Sequence, residues 1–323
     1  MQEKKYKILV ITPTKHILGV NKILKNIGHV TFKDDPTYKD IKKIIKNFDA
    51  IYTNPNKSKV YIDEKLINLG TRLKVICTAS TGTNHININY AKKKRIHIIS
   101  LKNERKTINK ISSTAEHALA LTLATLRNIT ASFDSVKKGE WDYTKYIGRQ
   151  LDHLTIGIIG YGRLGKLYSK YIKAFKSKIL VYDPYKSINS SSVKQVKKIE
   201  YLYKKSDIIS LHVHLNKETK EMINKQSFNL MKKDVTIINT SRGEIVKQND
   251  LIYFIKRNSQ AKYASDVLSD EILNKKNNLL VNLARKNNQV LLTPHIGGMT
   301  KEAQKIAFNC AAQKLSKFFK KKE

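Results

Sequence analysis

Ile156-Gly157-Ile158-Ile159-Gly160-Tyr161-Gly162-Arg163-Leu164-Gly165 is a short apolar run that ends in three glycines at G-x-G-x-x-G spacing. A helical run follows, and then Val181-Tyr182-Asp183, an acid 18 residues beyond the third glycine (183 − 165). Each part has a physical reason. Gly160 allows a tight turn out of a strand, Gly162 lets the backbone approach a pyrophosphate, and Gly165 lets the helix pack close to the sheet. The first turn of that helix offers unpaired N–H groups and a partial positive charge to phosphates. Asp183 would close the next strand and accept from the adenosine ribose hydroxyls. Its charge repels a 2′-phosphate, so NAD is expected rather than NADP. The nearest cation after it is Lys186.

At 323 residues the chain can bury two cores and is expected to form two domains. The 41% hydrophobic share suits a soluble globular protein. Cys77 and Cys310 stand far apart, so no disulfide framework is implied and a reducing, cytoplasmic setting is expected. The N-terminal apolar run, residues 8–11, is too short for a signal or membrane segment, and no membrane partner is expected. Net charge is +36 (62 − 26). Nucleic-acid binding is one reading of that charge. The other is drift toward the lysine, isoleucine and asparagine codons of an AT-rich genome. Lysines are spread along the whole chain and are dense only at Lys92-Lys93-Lys94-Arg95 and Lys320-Lys321-Lys322, with no interleaved aromatics. The second reading is therefore preferred, and a nucleic-acid partner is not expected. A positive surface still attracts anionic substrates.

Short apolar runs alternate with helical patterns throughout, which points to an α/β protein with parallel sheets. Strands are expected near 7–11, 29–32, 50–53, 74–77 and 97–99, and again near 155–160, 178–183, 207–211, 235–239, 262–266 and 289–292. That is enough for two doubly wound parallel-sheet domains. Residues 105–112 read as a linker. Ser113-Thr114-Ala115-Glu116 reads as a capping box opening a helix that is apolar round most of its circumference, so it is expected to be buried between domains or subunits. A last helix, near 300–319, could return to the first domain. The expected division is 1–104 with 293–323, and 105–292.

Three further segments place polar residues just past expected strand ends, the edge where open parallel sheets bind ligands. They are Asn239-Thr240-Ser241-Arg242-Gly243-Glu244, Ala264-Ser265-Asp266 running on to Asp270-Glu271, and Leu292-Thr293-Pro294-His295-Ile296-Gly297-Gly298. Taken singly, Arg242 reads as a surface ion pair, His295 as a loop histidine and Glu271 as a solvated acid. Together they supply a guanidinium fork for a carboxylate, a titratable imidazole and a carboxylate to orient it. A carboxylate beside an imidazole favours the protonated ring, the form a proton donor needs near neutral pH. No metal site is expected.

In order and spacing, the glycine turn with Asp183, the 239–243 segment, Asp266 followed five residues later by Glu271, and the 293–298 segment resemble the D-isomer-specific 2-hydroxyacid dehydrogenase family. The resemblance covers nearly the whole chain. It implies a Rossmann cofactor domain plus a flavodoxin-like substrate domain, closing over a cleft. It implies hydride transfer between NAD(H) and the 2-carbon of a small D-2-hydroxy acid or 2-oxo acid. It also implies residue roles. Arg242 binds the substrate carboxylate and carbonyl, His295 exchanges the proton, and Glu271 holds and tunes His295. Backbone N–H groups of Thr81 and Gly82, in a segment similar to the family's substrate loop, hold the carboxylate. Gly160, Gly162, Gly165, Arg163 and Leu164 serve the pyrophosphate and Asp183 the ribose. Thr240 and Asp266 sit near the nicotinamide, and Ser241 and Gly298 complete the cofactor site. The family's usual homodimer, through the helix near 113–129, is expected.

An NADH-sensing interaction protein of the corepressor kind shares this fold and is the alternative. A formate dehydrogenase is disfavoured, because that branch pairs its histidine with glutamine where this chain has Glu271. The chain departs from the family at His214, where proline is common, and at the asparagine-rich run 84–89. In addition, the basic stretch 274–288 sets Glu271 and His295 one residue further apart than expected. A serine-responsive regulatory domain is not expected. Lys15 or Lys57 could meet a substrate phosphate, though a surface role is the commoner one for each; hydroxypyruvate and glyoxylate fit equally well.

Overall fold

The structure is a computed structural model that describes residues 6–55, 60–271 and 277–321. It divides into two compact units, Met1–Ile111 with Gly298–Glu323, and Ser112–Gly297.

In the first unit β1 (Tyr6–Val10), β2 (Gly28–Phe32), β3 (Ala50–Thr53), β4 (Val75–Thr78) and β5 (His97–Ile99) form a wholly parallel sheet in the order β2-β1-β3-β4-β5. This is the flavodoxin-like order. Successive side chains point to opposite faces. Ile8, Val10, Ala50, Tyr52, Val75 and Cys77 enter one core, and Leu9, Ile51 and Ile76 enter the other. Both faces are covered, so the strands read as apolar runs and not as alternation. The helix Lys301–Lys320 belongs to this unit. Thr300 caps it by accepting from the Ala303 N–H, and Phe308, Ala311, Leu315 and Phe319 fill the core on one side of the sheet. The Tyr52 hydroxyl donates to the Phe308 carbonyl at 2.7 Å.

The second unit holds β6 (Thr155–Ile159), β7 (Lys178–Tyr182), β8 (Lys194–Gln195), β9 (Ile208–Leu211), β10 (Thr236–Asn239), β11 (Lys262–Ser265) and β12 (Val290–Leu292). All pair in parallel, in the order β12-β11-β10-β9-β6-β7-β8. Counted from β6, this is the Rossmann order with one more strand at the edge. The chain reverses direction across the sheet between β6 and β9, and the open ends of those two strands make the switch point. The helix Ser113–Leu126 packs on β10, β11 and the helix Arg163–Lys173. Its Ala115, Ala118 and Leu121 join Ile156, Ile158, Tyr168 and Ile238 in one core.

Three features differ from the sequence reading. The helix Arg105–Ile108 packs against Lys301–Lys320, with Thr107 Oγ1 and Cys310 Sγ 3.5 Å apart, while the stretch 293–297 is tied by hydrogen bonds to Asp266. The seams therefore fall after Ile111 and after Gly297, later than 104/105 and 292/293. The capping box is absent. Ser112 occupies the cap with a helical backbone and no side-chain bond, and the buried Ser113 hydroxyl, already inside the first turn, has no partner among the described residues. A capping side chain needs an extended backbone to turn back on the helix, which neither serine has. The two-residue β8 at the sheet edge was not anticipated.

Candidate active site

β6 delivers the chain to Gly160, whose φ of +91° lies in the left-handed region that glycine adopts without strain. A Cβ there would stand 2.6 Å from the His212 carbonyl oxygen. Gly165 is needed for close approach, since its Cβ would collide with the Gly160 carbonyl. Gly162 is different. Its φ is −73°, and a Cβ would meet no protein atom within 4 Å. Among the described residues nothing demands glycine at that position. The open space lies at the cap of the helix Arg163–Lys173, which has no side-chain cap for its first-turn N–H groups. A phosphate fits both facts. Asp183, directly after β7, accepts from the Tyr161 N–H at 2.8 Å and from the Tyr185 N–H at 3.1 Å. Beside this turn, Tyr161, Lys166, Lys186, Ser187 and Ser190 line a cavity of about 630 Å³.

The turn after β10 carries Arg242. Asn239 braces it by donating to the Arg242 carbonyl at 2.9 Å and accepting from the Ser241 N–H at 3.0 Å, and Ser241 Oγ donates to the Leu211 carbonyl at 2.7 Å. The Gly243 backbone presses on Leu268 and Ser269, so the arginine turn lies directly against the loop after β11. Arg242 Nη1 donates to the Ser241 carbonyl at 2.6 Å. Thr240 is buried beside them.

Glu271 and His295 meet. The His295 Nδ1 lies 2.8 Å from Glu271 Oε1, with the side chains 21% and 14% exposed. An ionised carboxylate only accepts, so Nδ1 carries the proton and donates. Burial opposes ionisation of Glu271 more strongly than any other single effect. The hydrogen bond and charge of His295, the Leu268 N–H and the Arg242 charge together outweigh it and hold the carboxyl below its usual value. Arg242 is thus within electrostatic reach of the pair. The His295 backbone has φ +57°, a conformation a non-glycine residue adopts only where neighbours impose it.

Those neighbours converge on Asp266. Its buried carboxylate accepts from Thr293 Oγ1 at 2.6 Å, the Ile296 N–H at 2.8 Å and the Gly297 N–H at 2.7 Å. Burial raises its carboxyl, but these donors and His117 draw it below the usual range. The sequence reading did not single out His117. The available signal was one ring-bearing polar residue on the otherwise small and apolar face of the helix Ser113–Leu126.

Thr81 and Gly82 follow β4 in the first unit, where Ser80 Oγ donates to the Gly82 carbonyl at 2.6 Å and Asn54 joins the neighbouring loop to the Ala79 carbonyl at 3.0 Å. Gly298 opens the returning segment of that unit. Lys15 is 79% exposed and pairs with Asp34 at 3.7 Å, an ordinary surface ion pair. Lys57 lies outside the described residues.

A glycine turn at a switch point, with an acid closing the adjacent strand, defines a dinucleotide-binding α/β unit; the histidine–carboxylate pair adds acid–base chemistry at the same sheet edge. The family model for the NAD binding domain of D-isomer specific 2-hydroxyacid dehydrogenases matches residues 119–297. The chain is 33% identical over 314 residues to the D-3-phosphoglycerate dehydrogenase of Methanocaldococcus jannaschii, covering 96% of this chain and 57% of that protein. It is 33% identical over 271 residues to the hydroxypyruvate reductase of Thermotoga maritima, covering 82% and 83%. Among solved structures, the NAD-dependent formate dehydrogenase of Staphylococcus aureus in complex with NAD is similar at TM-score 0.83 and 27% identity, covering 97% and 95%. The chain spans about half the length of the curated phosphoglycerate dehydrogenases it matches. The chain belongs to the D-isomer specific 2-hydroxyacid dehydrogenase family, and residues 119–297 are its NAD-binding domain.

Proposed function

We propose that this chain is an NAD-dependent oxidoreductase that interconverts a small D-2-hydroxy acid and its 2-oxo acid. The observation that carries the reading is the Glu271–His295 hydrogen bond within electrostatic reach of Arg242. NAD(H), when bound, would supply or take the hydride at the substrate 2-carbon. The other work falls to side chains. Arg242 holds the substrate carboxylate and polarises the carbonyl with its fork of donors. With Nδ1 held by Glu271, the proton that His295 gives to the carbonyl oxygen in reduction is the one on Nε2, and in oxidation the same nitrogen takes it back. Glu271 stays ionised and stabilises the charged ring between those states. The helix Arg163–Lys173 takes the pyrophosphate, with Arg163 and Leu164 over it; Thr240, Ser241 and Asp266 complete this unit's part of the cofactor site.

The test is an NADH-oxidation screen against 3-phosphohydroxypyruvate, hydroxypyruvate, glyoxylate and pyruvate, a panel taken from relatives named phosphoglycerate dehydrogenase, hydroxypyruvate reductase, glyoxylate reductase and D-lactate dehydrogenase. Turnover of one or more supports the reading. Tight NADH binding without turnover of any would move it to the NADH-sensing alternative.

Cofactor choice is tested at Asp183. Asp183→Ala is expected to weaken NADH binding about tenfold, the worth of one hydrogen bond to a charged acceptor, while NADPH binding weakens less or improves. Because Asp183 also holds the Tyr161 and Tyr185 N–H groups, only the difference between the two cofactors is diagnostic. Lys166 and Lys186 nearby make NADPH the right comparison. Equal losses by fluorescence titration would remove the ribose role.

The reading extends to a homodimer. Ile129, Phe133 and Val136 form an exposed stripe on the helix Ile129–Val136, and Trp141, Tyr143 and Ile147 continue it, Trp141 at 90% exposure. A run of exposed apolar side chains of this kind fits a second copy of the same chain. Phe133→Glu is expected to halve the mass measured by light scattering while NADH binding stays within threefold. An unchanged mass, or a monomeric parent, would overturn it. Two free cysteines, one of them buried, fit a reducing compartment such as the cytoplasm. No helix among the described residues is long and apolar enough to cross a membrane. The +36 charge is spread over the chain, and we assign it no nucleic-acid role.

A further inference from the structure

His117 lies on the helix Ser113–Leu126, distant in the chain from every residue assigned a role above. Its Nε2 is 2.9 Å from Thr293 Oγ1 and 3.3 Å from Asp266 Oδ1. The protons can be counted. Thr293 has one hydroxyl proton, and it goes to Asp266 at 2.6 Å. Towards His117 the hydroxyl can therefore only accept. An ionised Asp266 can only accept as well. The His117 Nε2 must carry a proton whichever charge the ring bears. The ring carbon Cδ2, bonded to Nε2, faces the far end of the same turn. A Cβ on Gly297 would stand 3.6 Å from His117 Cδ2, 3.5 Å from Thr114 Cγ2 and 3.0 Å from Asp266 Oδ2. One edge of the ring thus serves both ends of residues 293–297, bonding at Thr293 and leaving little room for a side chain at Gly297. Between those ends sits His295, in its left-handed conformation.

We propose that His117 is a positioning residue for the reaction: through Thr293 and Asp266 it clamps the turn that presents His295. The inference rests on the reading of His295 as proton donor. Asp266 alone gathers the turn's own donors, but it stands at the end of β11, in the same layer as the turn. His117 anchors the assembly to the long helix packed on that sheet, and so fixes the turn in a direction Asp266 does not. A small displacement of an acid–base group costs turnover far more than cofactor affinity, because the glycine turn and Asp183 lie on other strands and Asp266 keeps its bonds to the Ile296 and Gly297 N–H groups.

The test compares His117→Leu, His117→Gln and His295→Ala, measuring kcat and KM on the best acid of the panel and NADH affinity by fluorescence. His117→Leu is expected to lower kcat about 30-fold with NADH affinity within twofold. Glutamine sets an amide N–H near the position of Nε2, and His117→Gln is expected to return kcat to within threefold of the parent. A kcat for His117→Leu within threefold of the parent, a glutamine variant no better than leucine, or a parallel loss of NADH binding would each overturn the proposal. If His117→Leu does not fold, Thr293→Val removes that bond together with the Thr293–Asp266 bond at constant shape; its kcat must fall with NADH binding kept, and parental kcat would overturn the clamp. His295→Ala separates the two readings. An active His295→Ala defeats the proton-donor reading itself, whereas a dead His295→Ala beside a fully active His117→Leu defeats only the clamp.

Discussion

Replacing His295 with alanine is expected to lower kcat/KM for 2-oxo acid reduction about a thousandfold, the middle of the range for loss of a general acid. NADH affinity should stay within twofold. Glu271 holds Nδ1 at 2.8 Å, so the imidazole is oriented before substrate arrives, and a buried carboxylate held ionised stabilises the charged ring. Removing the ring would delete the proposed proton source and leave Glu271 without the donor on its Oε1. Steady-state kinetics with a parallel fluorescence titration measure both quantities. Activity within tenfold of the parent would mean that the carbonyl receives its proton elsewhere, and His295 would lose its role.

Arg242→Lys is expected to lower kcat/KM about a hundredfold, about 2.7 kcal/mol at 1.36 kcal/mol per decade. Lysine keeps the charge but loses the planar fork that matches a carboxylate with two parallel bonds. Most of the loss should appear in KM if Arg242 binds ground and transition states alike, and in kcat if it tightens on the developing oxyanion. Arg242→Gln adds a pH effect whose sign follows from Glu271. The arginine charge is one of the influences that hold the Glu271 carboxyl low. Without it the carboxyl rises, Glu271 protonates at a higher pH, and the acid-side fall in activity moves to higher pH. A profile that does not move, with kcat/KM within threefold, would place Arg242 outside the site.

Much of this was readable from the chain because both sheets are parallel and covered on both faces. Ile8 to Ile11, Ile208 to Leu211 and Ile237 with Ile238 are buried whichever way they point, so each strand appears as a nearly continuous apolar run, broken in these three only by Ser210. The loops that follow must then carry the polar residues, and Arg242, Glu271 and His295 stand out there. What the chain did not disclose depends on partners remote in sequence. Lys194 and Gln195 carry no apolar signal, and they form a strand only because Leu180 and Val181 offer them an edge. Ser113 has the right neighbours for a cap, but the helix begins with Ser112 already in a helical conformation. His117 finds Thr293 across 176 residues, and no spacing rule spans that distance.

The first unit is assembled from two stretches of chain that the whole second unit separates. During synthesis, β1 to β5 leave the ribosome long before Phe308, Ala311, Leu315 and Phe319, which cover one side of their sheet. The Rossmann unit has every strand it needs by the time Leu292 emerges, whereas the earlier sheet still waits with an oily side bare. The part made first is thus completed last, and throughout that delay it presents the kind of surface that chaperones bind.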